Sequence, residues 1–164
     1  MEIYILRHGL AEEASRTGRD SDRELTPEGV ARTRATGQAL RKLGTQFDII
    51  LASPYVRAWA TAELVADELG CPNLLKKCPP LASGESPDGV LAELKRVGRT
   101  HECVLLVGHE PDLSQLISIL LSGSPRLGIE MKKGGLCRLA CNTPEPGAAI
   151  LNWLLTSKLL ERMA

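Results

Sequence analysis

The sequence is poor in aromatic residues, in charge of one sign and in long apolar runs. Only 3% of its 164 residues are aromatic, and 20 basic residues offset 20 acidic ones, so the formal net charge is zero. We therefore expect no nucleic-acid partner that relies on base stacking or bulk positive charge. No apolar run approaches the roughly 20 residues that span a bilayer, and the N-terminus does not read as a signal peptide. These absences predict a cytoplasmic protein with no membrane partner.

Histidine and cysteine are also scarce. The five cysteines include no Cys-x-x-Cys pair, and their odd number argues against a disulfide framework. The chain has three histidines, at His8, His101 and His109. A zinc site usually takes three or more protein ligands, and neither His101, which reads as an exposed turn residue, nor a suitably spaced cysteine joins the other two. We expect no metal site and no cofactor.

Short apolar runs alternate with helical segments along the chain. Strands are predicted at residues 3–6, 47–51 and 104–107, with a short edge strand at 74–75 and a late hairpin at 136–140 and 149–153. Helix starts are predicted at Thr26-Pro27, Ser53-Pro54, Ser86-Pro87 and Glu110-Pro111. This alternation predicts a single α/β domain over residues 1–164, with a mainly parallel central sheet and helices on both faces.

The first predicted helix carries small residues at every fourth position. Ala31, Ala35, Ala39 and Leu43 form this stripe, and we expect it to pack closely on the sheet.

Three of the predicted strands end in residues that suit an anion. Arg7 and His8 follow the first strand, and His109 follows Gly108 at the end of the third. The second strand ends at Ser53, and Arg57 lies one turn into the helix that follows. Ligands bind outside the carboxyl ends of parallel strands, so these groups are expected to converge on one pocket.

A phosphoryl group suits such a pocket. Arginine matches phosphate with a planar fork of donors and keeps its charge. A neutral imidazole is able to attack phosphorus and form a phosphohistidine, while a second, protonated imidazole stabilises the transferring oxygens. Gly9 and Gly108 are expected to let the backbone approach the ligand closely.

Four motifs in order resemble the histidine phosphatase superfamily, the relatives of cofactor-dependent phosphoglycerate mutase. They are Arg7-His8-Gly9, Leu25-Thr26-Pro27-Glu28-Gly29, Ser53-Pro54 followed by Arg57-Ala58 and Thr61-Ala62, and Gly108-His109. The resemblance runs from residue 3 to about residue 120. One departure is Ala60, where members commonly have a polar residue such as glutamine.

The resemblance implies a role for each matching residue. His8 would be the phosphorylated nucleophile, and Arg7, Arg57 and His109 would form the phosphate pocket, with Gly9 and Ser53 beside it. Glu85 is the best positional candidate for the proton donor, although an acid in the 12–24 loop is the alternative. In the same loop Asp20 and Arg23 match residues that frame the site, and Arg23 would add a phosphate contact.

The length of the chain indicates which branch of this superfamily it resembles. Larger members insert a helical lid, and the stretch between Gly70 and Ser86 leaves no room for one. This compactness is similar to the SixA-type protein phosphohistidine phosphatases, and it implies a metal-independent phosphatase acting on a phosphohistidine-bearing protein. A phosphatase of a small phosphomonoester or sugar phosphate is the alternative, and a non-catalytic phosphate-binding protein is a more distant one.

Overall fold

One six-stranded sheet organises the fold in a computed structural model that describes all 164 residues. Its strands are β1 (Glu2–Arg7), β2 (Ile49–Ala52), β3 (Leu75–Lys77), β4 (Cys103–Gly108), β5 (Leu136–Ala140) and β6 (Ile150–Leu155). They lie in the order β3-β2-β4-β1-β5-β6. The first four in this order are parallel, β5 is antiparallel to β1, and β6 is antiparallel to β5. The predicted strands and the late hairpin are confirmed.

Five α-helices flank the sheet: α1 (Pro27–Lys42), α2 (Val56–Leu69), α3 (Pro87–Val97), α4 (Asp112–Ser122) and α5 (Ser157–Met163). Successive strand residues face opposite sides, so Ile3 and Ile5 pack in one core with α3 and α4, while Tyr4 and Leu6 pack in the other with α1, α2 and α5. Helices therefore cover both faces, as predicted. Only short 3-10 turns, at Pro72–Leu74 and Pro79–Leu81, join α2 to β3 and β3 to α3, so no lid subdomain is inserted there.

Two of the predicted helix starts carry side-chain caps. The hydroxyl of Thr26 accepts from the Gly29 N–H at 3.0 Å, and that of Ser86 accepts from the Asp88 N–H at 3.2 Å. The start predicted at Ser53-Pro54 is wrong by two residues, since Tyr55 is the cap and α2 begins at Val56. Ser53 is fully buried, and its hydroxyl accepts from the Tyr55 N–H at 3.2 Å. The turn therefore precedes the helix and does not form its first residues.

The predicted small-residue stripe of α1 is confirmed at Ala39, which is fully buried, and is wrong at its two ends. Ala31 and Leu43 are exposed, and the buried face of the helix contains Thr33, Gly37 and Leu40. Four residues advance an α-helix by about 400°, so a strict four-residue repeat drifts about 40° per step and leaves the packed face. The face that follows the true periodicity, at spacings of three and four, is the one that packs.

None of these helices combines the length and the apolar character needed to cross a membrane.

Candidate active site

The site lies where β1, β4 and β2 end side by side. Arg7 pairs in register with Gly108, the His8 N–H donates to the Gly108 carbonyl at 3.1 Å, and the Ser53 N–H donates to the Val107 carbonyl at 2.9 Å. The chain leaves β1 toward β2 on one side and leaves β4 toward β5 on the other, so the crevice between β1 and β4 is a topological switch point. The rings of His8 and His109 lie at this crevice with their centroids 5.1 Å apart.

His8 is held in one tautomer by two neighbours. Its Nδ1 lies 2.7 Å from the Gly9 carbonyl, which only accepts, so Nδ1 carries the proton. Its Nε2 accepts from the Nε–H of Arg57 at 3.2 Å and is therefore unprotonated. Burial lowers the pKa of His8 to about 4, and the charges of Arg57, Arg7 and Lys133 act in the same direction. At neutral pH the ring is a neutral imidazole with a lone pair on Nε2.

Arg57 connects His8 to the loop that follows β1. Its side chain is 5% exposed, and its NH1 and NH2 groups donate to the backbone carbonyl and the carboxylate of Asp20 at 2.6 and 2.8 Å. Asp20 lies in a 3-10 turn, Asp20–Asp22. The site is thus lined by a buried cation whose outer donors contact the Asp20 segment.

The hydroxyl of Ser53 orients the ring of His109. The Ser53 hydroxyl lies 2.8 Å from His109 Nε2, and the Tyr55 ring packs against the imidazole with centroids 5.1 Å apart. His109 Nδ1 is buried and has no hydrogen-bond partner within the chain. Burial lowers the pKa of His109 to about 3, with His8 and Arg57 contributing in the same direction. In the ligand-free site this ring is neutral.

Arg7 anchors the segment before β5. Its NH1 donates to the Met131 carbonyl at 2.7 Å, while its Nε is buried and has no partner. Burial lowers its pKa, but a guanidinium stays charged at neutral pH. The Gly134 N–H donates to the His8 carbonyl at 3.0 Å, so the 131–134 segment lies directly beside the site.

Gly9 contacts the helices that flank the site. Its N–H donates to Thr61 Oγ1 at 3.1 Å, so it is not free for a ligand. A Cβ at Gly9 would lie 2.7 Å from Thr33 Oγ1, which shows that the close approach is to α1. Ser53, also predicted to contact the ligand, is fully buried and contacts His109. Gly9 and Ser53 therefore position the two histidines, and their contact with a ligand stays a prediction. Gly108 lies close to the Leu113 side chain.

The other predicted site residues, Asp20, Arg23 and Glu85, differ in whether they contact the site directly. Asp20 contacts Arg57 directly and holds Arg23, whose NH1 donates to its carboxylate at 2.8 Å. Arg23 also donates from Nε to the Glu12 carbonyl at 2.6 Å, so the structure connects it to the site only through Asp20. Glu85 is exposed and lines a small pocket together with His109 and Asp112.

Thr61 and Tyr55 were not predicted as site residues. Thr61 Oγ1 donates to the Arg57 carbonyl at 2.7 Å and accepts from Gly9, so it joins α2 to the loop after β1. Its place in the motif, one helical turn after Arg57, was the available signal. The Tyr55 ring contacts both His109 and the Arg57 guanidinium, whose central carbon lies 5.4 Å from the ring centroid.

The arrangement combines two guanidinium groups with two neutral imidazoles, one of which presents an unprotonated Nε2. Guanidinium forks bind tetrahedral oxyanions, and a buried imidazole lone pair is a nucleophile for phosphorus. No group of three or more histidine, cysteine, aspartate or glutamate side chains lies close enough together to hold a metal ion. The geometry therefore fits phosphoryl transfer to His8.

Comparisons with known proteins agree with this chemistry. A sequence profile of the histidine phosphatase superfamily (branch 1) matches residues 3–78. The chain is 39% identical over 145 residues to an uncharacterized protein of Picosynechococcus sp., covering 85% of this chain and 84% of that protein. It is 32% identical over 126 residues to phosphohistidine phosphatase SixA of Escherichia coli, covering 75% and 76% respectively. A solved structure of the protein histidine phosphatase SixA complexed with tungstate matches with a TM-score of 0.86 at 26% identity, covering 98% of this chain and 99% of that one.

Proposed function

Because the chain belongs to the histidine phosphatase superfamily and is a phosphatase, we propose that it hydrolyses phosphohistidine on a protein, with His8 as the covalent nucleophile. The observation that carries the proposal is the state of His8: a buried, neutral ring whose Nε2 is unprotonated and faces Arg57. Nucleophilic catalysis requires this lone pair, and the neighbouring guanidinium is placed to bind the group that Nε2 attacks.

In the first step, Nε2 of His8 attacks phosphorus. The Nε2–P bond forms while the bond from phosphorus to the substrate nitrogen breaks, and the electron pair leaves with that nitrogen. The leaving group either takes a proton from Glu85 or is an imidazole already protonated at its other ring nitrogen. Arg57 and Arg7 bind the phosphoryl oxygens, and the contact between Arg57 and Nε2 is replaced by a contact with the phosphoryl group. In the second step, water attacks phosphorus, the Nε2–P bond breaks, and inorganic phosphate leaves with His8 restored.

His109 contributes a donor to the transferring oxygens in this scheme. Ser53 accepts from the Tyr55 N–H and is free to donate its own hydroxyl proton to His109 Nε2. The imidazole proton then resides on Nδ1, the ring atom without a partner in the chain. A bound phosphoryl dianion also raises the pKa of a neighbouring imidazole, which favours the protonated form during transfer.

Glu85 is the proposed proton donor to the leaving group. Asp20 is a poor candidate because Arg23 and Arg57 bind its carboxylate, lower its pKa and so disfavour the protonated form that a donor must reach. Asp22 is excluded by the same argument, since hydrogen bonds from Thr17, Arg19 and Ser21 lower its pKa to about 2. Glu85 makes no such ion pair and lines the same pocket as His109.

A protein substrate is favoured over a small ester for two reasons. No lid subdomain closes over the site, so a large substrate is not sterically excluded by one. An imidazole leaving group is able to depart already protonated, which suits a site whose candidate acid is an exposed loop residue. Similarity to phosphohistidine phosphatase SixA supports the same substrate class. A small phosphomonoester or sugar phosphate is the second candidate, since the pocket groups recognise any phosphoryl oxyanion.

The proposal is tested with a ³²P-labelled phosphohistidine protein and a panel of small phosphate esters, compared by kcat/KM. We expect higher kcat/KM on the phosphohistidine protein and an acid-labile phosphoenzyme in the wild type. The phosphoenzyme is expected to be absent in His8→Asn and present in the matched control His101→Asn. If the His8→Asn variant still formed a ³²P-labelled phosphoenzyme, the proposal that His8 is the nucleophile would be wrong. Turnover of a small ester without turnover of phosphohistidine would favour the second candidate.

A further inference from the structure

A surface groove begins at Arg7 and follows the segment before β5 to the start of α5. Five of its nine lining residues are basic and one is acidic. We call it the basic groove and define it by these five residues: Arg7, Arg32, Lys132, Lys133 and Lys158. Because the whole chain has no net charge, this concentration of positive charge is a local feature.

Two of the five charges have no carboxylate partner and lie outside the phosphate pocket. Arg32 pairs with Glu28 at 2.6 Å and with Glu161 at 3.0 Å, and Lys132 lies 3.8 Å from Glu130. Lys133 and Lys158 are exposed and form no ion pair within the chain. These two ammonium groups are therefore available to an external anion.

Lys133 and Lys158 border the basic groove from two different elements, and Lys133 lies near His8. Lys133 precedes Gly134, whose N–H donates to the His8 carbonyl at 3.0 Å, and its charge is close enough to lower the pKa of His8. A Cβ built on Gly134, which has a φ of +70°, would lie 3.1 Å from the Cβ of Ser157. The segment bearing Lys133 thus packs against the residue before Lys158, and the two lysines border one groove.

We propose that Lys133 and Lys158 dock acidic side chains that surround the phosphohistidine on the protein substrate. The inference rests on the proposed function and specifies the partner as a phosphoprotein with an acidic face. Lysine is a flexible point charge without the planar fork that recognises a second phosphate. Two exposed lysines on separate elements suit scattered carboxylates on a protein surface better than one small dianion.

The expected size of the effect follows from the exposure of the two lysines. Exposed ion pairs contribute little individually, so each lysine is expected to change kcat/KM only several-fold. Complementary charge also speeds association, and this effect is screened over about 8 Å at physiological ionic strength. Together the two lysines are expected to give about a tenfold preference for an acidic substrate at low salt.

The experiment uses two phosphohistidine peptides that differ only in the flanking residues, four glutamates or four glutamines. The readout is the ratio of their kcat/KM values within one enzyme, which cancels changes common to both substrates. We compare the wild type, Lys133→Gln/Lys158→Gln and a control, Lys42→Gln. Lys42 is exposed at the far end of α1, about 24 Å along that helix from its first residue.

We expect the glutamate peptide to be preferred about tenfold, through a lower KM, by the wild type and by Lys42→Gln. The ratio is expected to approach one in the double variant, and also in the wild type at about 0.5 M salt. A ratio near one in the wild type, or an undiminished ratio in the double variant, overturns the docking role.

Failure of the proposed function gives a different result. In that case the wild type cleaves a small phosphate ester and neither peptide. The unphosphorylated glutamate peptide then tests the groove as an inhibitor of ester hydrolysis. Inhibition of the wild type and Lys42→Gln but not of the double variant supports the groove as an acidic docking site. Equal inhibition of all three, or none, overturns it.

Discussion

The Nε–H of Arg57 donates to Nε2 of His8 across 3.2 Å, so the guanidinium already faces the atom proposed to attack phosphorus. The other side of the same guanidinium contacts Asp20. A phosphoryl group bound at Nε2 replaces the first contact and competes electrostatically with the second. Arg57 therefore connects His8 to the Asp20 segment, and the first two predictions concern this connection.

Arg57→Lys is expected to lower kcat/KM by about 10²–10³-fold on any substrate, because a lysine loses the fork that binds phosphoryl oxygens. Steady-state kinetics measure the loss, and thermal unfolding shows whether the fold survives. Arg34→Lys is the matched control, since Arg34 is exposed on α1 and pairs with Glu68. A loss of the same size in Arg34→Lys would contradict a role specific to Arg57.

Asp20→Asn is expected to tighten inhibition by inorganic phosphate or tungstate several-fold. The carboxylate is ionised at neutral pH, because Arg23 and Arg57 lower its pKa, and so it repels an incoming dianion. The amide keeps an acceptor for Arg57, and the backbone contact from Asp20 to NH1 is unaffected. Inhibition constants test this against Asp67→Asn, an exposed control on α2. Weaker inhibition in Asp20→Asn would mean that its charge mainly holds Arg57 in place.

Glu85→Gln is expected to reduce hydrolysis of an alkyl phosphate far more than hydrolysis of phosphohistidine. General acid catalysis contributes about 10²–10⁴-fold where the leaving oxygen needs a proton, and an imidazole needs less help. The measurement is kcat/KM on both substrates, with Asp88→Asn as a nearby exposed control. Equal losses on the two substrates would count against this division.

The two buried histidines make stability depend on pH. The pKa values in the folded chain, about 4 for His8 and about 3 for His109, lie below the ordinary histidine value of 6.5. The unfolded chain therefore binds more protons below pH 6.5, and stability falls as pH falls. As the pH falls below 6.5, each histidine lowers the free energy of unfolding by about 1.4 kcal/mol per pH unit, or about 2 kcal/mol between pH 6.5 and pH 5.

Urea unfolding at pH 7 and pH 5 measures this dependence. His8→Gln/His109→Gln is expected to lose most of the difference between the two pH values. Carboxylates with lowered pKa values, such as Asp20, lose their contribution to folding stability mainly below pH 5. A pH dependence that is unchanged in the double variant would assign the effect to other groups.

Much of the fold could be predicted from local patterns. The buried apolar runs of β1, β2 and β4 and the hydroxyl caps at Thr26 and Ser86 depend on neighbours in sequence. The convergence of Arg7, His8 and His109 followed from one general fact, that parallel strands end at the same edge of a sheet. The prediction that Ala31 and Leu43 of α1 pack on the sheet was wrong, because the packed face of a helix depends on which elements it contacts, here α2 and α5.

Within the site, the residue types predicted an anion site, but the hydrogen-bond partners of these residues could not be predicted from the sequence. Arginine and histidine at strand ends indicate an anion site because few other arrangements use them there. Gly9 and Ser53 were predicted as ligand contacts from the sequence. In the structure the Gly9 N–H donates to Thr61 Oγ1, and the Ser53 hydroxyl contacts Nε2 of His109. Hydrogen-bond partners 52 and 56 residues apart have no local signature.

The positions of the strands along the chain, the residue types of the pocket and the membership in a phosphatase superfamily were therefore encoded in short segments that can be read one at a time. The contact of His8 with Arg57, the contact of Asp20 with Arg57, and the position of Lys133 and Lys158 along one groove exist only after folding. Each joins segments that are distant in the chain, and only the packing of the sheet and helices brings their atoms within hydrogen-bonding or electrostatic range.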